Sequence, residues 1–128
     1  MSKIGRLAIV LSILIGTPAS AEEIGPEAAS ERLIGATWSG TNADGSEFWF
    51  YHAGDGRFKS RFVQRSKAAF DAGGEWKIAG NTICWAWDGW ETHCYETFVL
   101  EGDALSMTRT DGVIHTGTVT LGDTEALN

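Results

Sequence analysis

From Ala36 onward, large apolar residues alternate with polar ones in short runs cut by glycine, asparagine and aspartate. The breaks fall at Asn42-Ala43-Asp44-Gly45, Gly54-Asp55-Gly56, Gly73-Gly74, Gly80-Asn81, Asp88-Gly89, Gly102-Asp103, Asp111-Gly112 and Gly122-Asp123. A period of two marks strands with one buried face, and turn signals this closely spaced mark an antiparallel meander. The runs predict strands over 37–41, 46–52, 57–64, 75–79, 82–87, 91–100, 104–110 and 113–121. Only one segment reads as a helix, 26–33. Pro26 suits its first turn, Glu27 its positive end and Gly35 its C-terminal cap, while Ala29 and Leu33 make an apolar stripe. The expected fold is all-β, a single eight-stranded antiparallel meander barrel over 36–121. A lead and short helix over 22–35 precede it, and a tail over 122–128 follows.

Side-chain alternation assigns faces. Phe58 and Phe62 face the core, because a slip of one residue would bury Arg57, Lys59 and Arg61 instead. Phe48 and Phe50 likewise face inward, which turns Trp49 and Tyr51 outward. Asp111-Gly112 reads as a two-residue turn that sets Arg109 opposite Ile114 and Met107 opposite Thr116. On that register Leu105, Met107 and Ile114 share a face while Val119 and Leu121 lie on the other. A bulge at Gly117 would reunite them and point His115 outward.

The stretch from Thr82 to Tyr95 holds both cysteines and three of the six tryptophans. With Asp88-Gly89-Trp90 as a three-residue loop, Trp87 faces Glu91, Trp85 faces His93 and Cys84 faces Cys94. Directly opposed residues of paired strands are close enough to bridge, so a Cys84–Cys94 disulfide is expected. It would fix the register of the hairpin and so the direction of its indoles.

The N-terminus changes the expected address. Lys3 and Arg6 precede an apolar run over 7–15, and Pro18-Ala19-Ser20-Ala21 offers small residues for a peptidase. This is the pattern of a bacterial secretory signal cleaved after Ala21, and its apolar run is shorter than a membrane span. The expected location is the periplasm or the medium, with no stable membrane insertion after cleavage, and an oxidising compartment suits the disulfide. Lys3 and Arg6 belong to the leader, so the net charge moves from −7 for the whole chain to −9 for the remainder. An acidic domain of this kind is repelled by phosphate backbones, which argues against nucleic acid as a partner.

Leu33-Ile34-Gly35-Ala36-Thr37-Trp38-Ser39-Gly40, opening a meander, resembles the start of lipocalin-like barrels, although those carry Gly-x-Trp and this chain Gly35-Ala36-Thr37-Trp38. The later rhythm of Asp55-Gly56-Arg57-Phe58, Gly74-Glu75-Trp76-Lys77-Ile78 and Ile83-Cys84-Trp85 is similar to that of small secreted bacterial proteins of unknown function. The resemblance implies a small barrel and names no ligand.

Two surfaces stand out as candidate sites. Trp85, Trp87, His93 and Tyr95 share one hairpin face near Glu91; flat aromatics beside polar groups suit sugar rings or apolar ligands, and the same pattern also describes a barrel core. Trp49 and Tyr51 beside Arg57, Lys59 and Arg61 form an outer strip fit for an anionic partner, a glycan or an acidic protein surface, and the same alternation also describes a solvated strand face. His52, His93 and His115 fall on three strands, with no spacing that requires a metal. No Gly-x-Ser-x-Gly, His-Glu-x-x-His or phosphate loop is present, and Asp88 with Glu91, or Glu47 with Glu75, reads as turn and solubility chemistry. No catalytic residue, metal or cofactor is therefore assigned. The expected function is non-catalytic binding of a small ligand at the aromatic hairpin. The alternative is an envelope factor or hydrolase inhibitor that binds an exported protein through the basic strip.

Overall fold

Closing a meander into a barrel requires its last strand to pair with its first, and here it does. The computed structural model describes residues 20–128; most of the expected leader, residues 1–19, lies outside them. The chain runs β1 (Glu22–Ile24), α1 (Pro26–Leu33), β2 (Ala36–Thr41), β3 (Glu47–His52), β4 (Arg57–Val63), β5 (Phe70–Ala79), β6 (Thr82–Trp87), β7 (Thr92–Glu101), β8 (Ala104–Arg109) and β9 (Ile114–Leu121). Strands β2 to β9 each pair antiparallel with the next, and β9 returns to β2 through Trp38↔Val119 and its neighbours. The all-β reading and the eight-stranded antiparallel barrel are thus borne out.

Two elements depart from expectation. Glu22–Ile24 carries no alternating run, yet it forms β1 against Leu100, Val99 and Phe98, beyond the point where β6 stops pairing with β7. It covers ladder groups of β7 that would otherwise be left bare. Strand β5 begins at Phe70 rather than Glu75, because Gly73 and Gly74 lie inside the ladder instead of forming a turn. A Cβ at Gly74 would collide with the Ala86 backbone, so glycine there serves close strand approach.

The β8–β9 turn is a correction of register. Arg109 pairs with Val113, not Ile114, so the loop is Thr110-Asp111-Gly112, with Gly112 in the left-handed region at φ +94°. Met107 then opposes His115 and Leu105 opposes Gly117, and the ladder runs through Gly117 without a bulge. His115 turns toward the interior, and Ile114, expected inside, is 63% exposed. Leu121, also expected inside, is 83% exposed at the strand's end. The bulge lies instead in β7, where Glu96 is skipped between Tyr95↔Arg109 and Thr97↔Thr108. That extra residue lets both Tyr95 and Phe98 face inward.

Gly117 has a different task. Trp38 reaches across it to donate from Nε1 to the Leu105 carbonyl at 3.0 Å, and a Cβ at 117 would lie 2.7 Å from that nitrogen. Around Trp38 the interior fills with Phe48, Phe50, Phe58, Ile83, Phe98, Leu105 and Met107. One end of the barrel is plugged by α1, whose Ala29 and Leu33 are fully buried. Burying a leucine side chain contributes about 1.5–3 kcal/mol. Gly35, at φ +73°, turns the chain from α1 into β2, while its N–H bonds the His52 carbonyl and its carbonyl accepts from Gly122.

Gly117→Ala is therefore expected to destabilise the fold by about 1–3 kcal/mol through overpacking. Thr118→Ala, on the exposed face of the same strand, should stay near wild type. Urea midpoints of the two variants check this; a wild-type midpoint for Gly117→Ala would contradict it.

Candidate functional site

The two ends of the barrel differ. The end under α1 is filled by buried side chains, among them Ala29, Leu33, His52, Trp76 and Trp85. The end carrying the β2–β3, β4–β5, β6–β7 and β8–β9 turns opens into a cavity of about 170 Å³. One wall is aromatic, built from Phe48 and Phe50 of β3, Phe62 of β4 and Trp87 of β6. The facing wall is polar: His93 and Tyr95 of β7, Arg109 of β8 and His115 of β9. Trp38 adds a further indole, while Asn42 and Trp90 stand at the rim.

Local geometry explains these positions. In the β6–β7 loop Gly89 takes φ +69°, Trp87 N–H bonds Glu91 O at 3.0 Å and Trp90 N–H bonds Trp87 O at 3.1 Å. Asp88 ties the loop to two neighbouring strands, receiving Arg57 Nη2 at 2.6 Å and donating its N–H to Gly73 O at 2.9 Å. Trp90, 66% exposed, is thereby held edge-to-face on Trp87 at 6.0 Å. Below the loop Cys84 and Cys94 are directly opposed and joined in a disulfide, as expected from the loop length.

On the polar wall, Asp111 receives Nε and Nη2 of Arg109 at 3.0 and 2.7 Å, leaving Nη1 free of that pairing. These bonds and the Val113 N–H hold the Asp111 carboxyl down to about 2. Tyr95 is directly opposite Arg109, and burial raises its phenol pKa. His115 Nδ1 lies 3.3 Å from Asn42 Oδ1; burial and the Arg109 charge lower its pKa. His93 Nε2 lies 3.3 Å from Glu91.

Of the expected hairpin site, Trp87, His93 and Tyr95 meet in the cavity. The site is an interior cup rather than an outer surface. Trp85 does not line it; 2% exposed, it donates from Nε1 to His52 Nε2 at 3.0 Å near the closed end. Glu91 sits outside the lining as a partner of His93. Sequence reasoning missed Trp38, Phe48, Phe50 and Phe62 as walls, and Arg109 and His115 as polar contributors. The first four were legible as inward or core-type residues. His115 was hidden by the one-residue register error, whereas Arg109 shares the face of Leu105 and Met107 and was passed over as a charged strand end.

The buried indoles whose N–H finds no acceptor among the described residues are those of Trp76 and Trp87. Trp76 packs against His52 near the closed end, whereas Trp87 lines the cavity. A buried N–H without an acceptor costs about 1–3 kcal/mol.

In the outer strip Tyr51 opposes Lys59 and Trp49 opposes Arg61. Its arginines are already engaged, Arg57 with Asp88 and Glu75, and Arg61 with Asp71 and Glu125. The three histidines do not converge: His52 is fully buried at the closed end, apart from His93 and His115. Among the described residues no group of three or more His, Cys, Asp or Glu side chains could hold a metal ion.

Fold and site together define a small closed β-barrel with an aromatic cup at one end. No protein-family model, curated protein or solved structure matches the chain.

His52 generates a pH prediction. Burial pushes its pKa down to about 3, so the folded barrel holds it neutral as the acceptor for Trp85. Its contribution is fully present above the ordinary value near 6.5. It is lost as pH falls from there toward 3, because only the unfolded chain takes the proton. Between pH 6.5 and 4.5 the loss should reach about 2–3 kcal/mol. His52→Gln, which keeps an acceptor for the indole, should remove most of that slope, leaving a smaller part from His115. Urea unfolding at several pH values provides the check, and equal slopes in both proteins would refute it.

Proposed function

We propose that the protein is an exported, non-catalytic binding protein that holds a small ligand in the open-end cup. The observation that carries this reading is a cavity whose aromatic wall of Phe48, Phe50, Phe62 and Trp87 faces the polar side chains of His93, Tyr95, Arg109 and His115. Aromatic walls supply contact area to a ligand, and a few fixed polar groups orient it. Export is supported by the leader pattern and by the Cys84–Cys94 bond, which suits an oxidising compartment.

Within this reading a single apolar ring fits better than a sugar. A sugar presents hydroxyls on every side, and the Phe48, Phe50 and Phe62 wall has no polar side-chain atom to pair with them. The size agrees, since an apolar cavity of about 150 Å³ takes up benzene. A protein-binding role for the basic strip has less support, because Arg57 and Arg61 are each held between two acids of the chain, Asp88 with Glu75 and Asp71 with Glu125.

Indole N–H resonances test the proposal directly. In a titration with single-ring compounds and monosaccharides, the Trp87 signal, assigned by its loss in Trp87→Phe, should move. That of Trp85, bonded to His52, should stay. A panel in which no compound shifts Trp87 or Trp90 would sink the proposal.

A further inference from the structure

The cup is two-sided, and that asymmetry narrows the ligand. Building on the binding reading above, we propose that the cup selects a planar single-ring carboxylate, with its ring against Phe48, Phe50 and Trp87 and its acid group toward Arg109.

The flat ring follows from the aromatic wall. Phe50 and Trp87 stand edge-to-face at 5.8 Å, and Phe50 and Phe62 at 5.6 Å, so faces and edges are both presented to a ligand. Aromatic rings favour such offset and edge-on contacts. A volume of about 170 Å³ holds one ring and leaves its substituent at the mouth.

The carboxylate follows from the donors. Asp111 holds Arg109 through Nε and Nη2, which leaves Nη1 outside that pairing, and the guanidinium lies beside the Tyr95 phenol. An arginine locked in place loses little side-chain freedom on binding a carboxylate, and such charge-assisted bonds are the strong ones. The Tyr95 phenol lies directly across the ladder from Arg109, and both side chains line the cavity. Each can donate, and a carboxylate accepts at two oxygens without demanding an acceptor in return. Of the nearby acids, Asp111 takes Nε and Nη2 of Arg109, and Glu91 stands beside His93 outside the lining.

Calorimetric titration of the folded, disulfide-bonded protein with benzoate and with its neutral analogue benzamide tests the inference. Benzoate is expected to bind about tenfold or more tightly than benzamide, the usual scale for a charge-assisted bond. Arg109→Gln should collapse that ratio to near one, and Arg109→Lys should restore part of it. The Trp85 indole resonance serves as the marker that each variant is folded. Equal affinities in the wild type would overturn acid selection while leaving the cup as a ring-binding site. A benzoate preference that survives in folded Arg109→Gln would also overturn it. If neither compound binds, the carboxylate inference fails; the binding reading fails with it only if no compound of the wider panel moves Trp87.

Discussion

The barrel depends on one crossing of side chain over backbone. Trp38, on the first strand of the closed sheet, spans Gly117 of the last strand and bonds the Leu105 carbonyl on the strand beyond. That hydrogen bond ties three neighbouring strands together at the seam where the sheet meets itself. It requires a residue without a side chain at 117, since any Cβ there meets the indole and the Ser39 carbonyl. A closed sheet has no free edge, and the seam is where closure is completed.

With the seam closed, the two ends of the interior are treated differently. At one end α1 lays Ala29 and Leu33 over the opening, and His52, Trp76 and Trp85 pack beneath as a neutral cluster in which the Trp85 indole bonds His52. At the other end the turns are short and tethered, as in Asp88 to Arg57 and Arg109 to Asp111, and they leave the centre uncovered. The hairpin of β6 and β7 serves both ends. Trp85 belongs to the packed cluster and Trp87, two residues on, to the cup. The disulfide fixes the register that separates them. A loop this short contributes only about 2–3 kcal/mol through closure, so its register-setting is its larger effect.

Much of this was legible in the chain itself. The alternation of Phe48, Phe50, Phe58 and Phe62 with charged neighbours named the inward face of β3 and β4, and the same alternation carries His52 inward. The spacing of Cys84 and Cys94 about Asp88-Gly89-Trp90 named their pairing. Two things misled. Asp111-Gly112 fits a two-residue turn as well as the second half of a three-residue one, and that single choice inverted His115 and Ile114. Gly117 carries the same letter whether it marks a bulge or makes room for an indole that arrives from a distant strand.

What the sequence determined by itself is local: the course of the eight barrel strands, which side chains share a face along β3, β4 and β6, and which cysteines meet. These follow from period-two geometry and turn chemistry, which act over a few residues. Whether a buried aromatic belongs to a filled core or to the wall of a cup was decided only by the closed sheet. Trp85 and Trp87 have the same parity and nearly the same burial, 2% and 8% exposed. They part company because α1 covers one end of the barrel and, among the described residues, no element covers the cup at the other, a fact carried by contacts far apart in the chain.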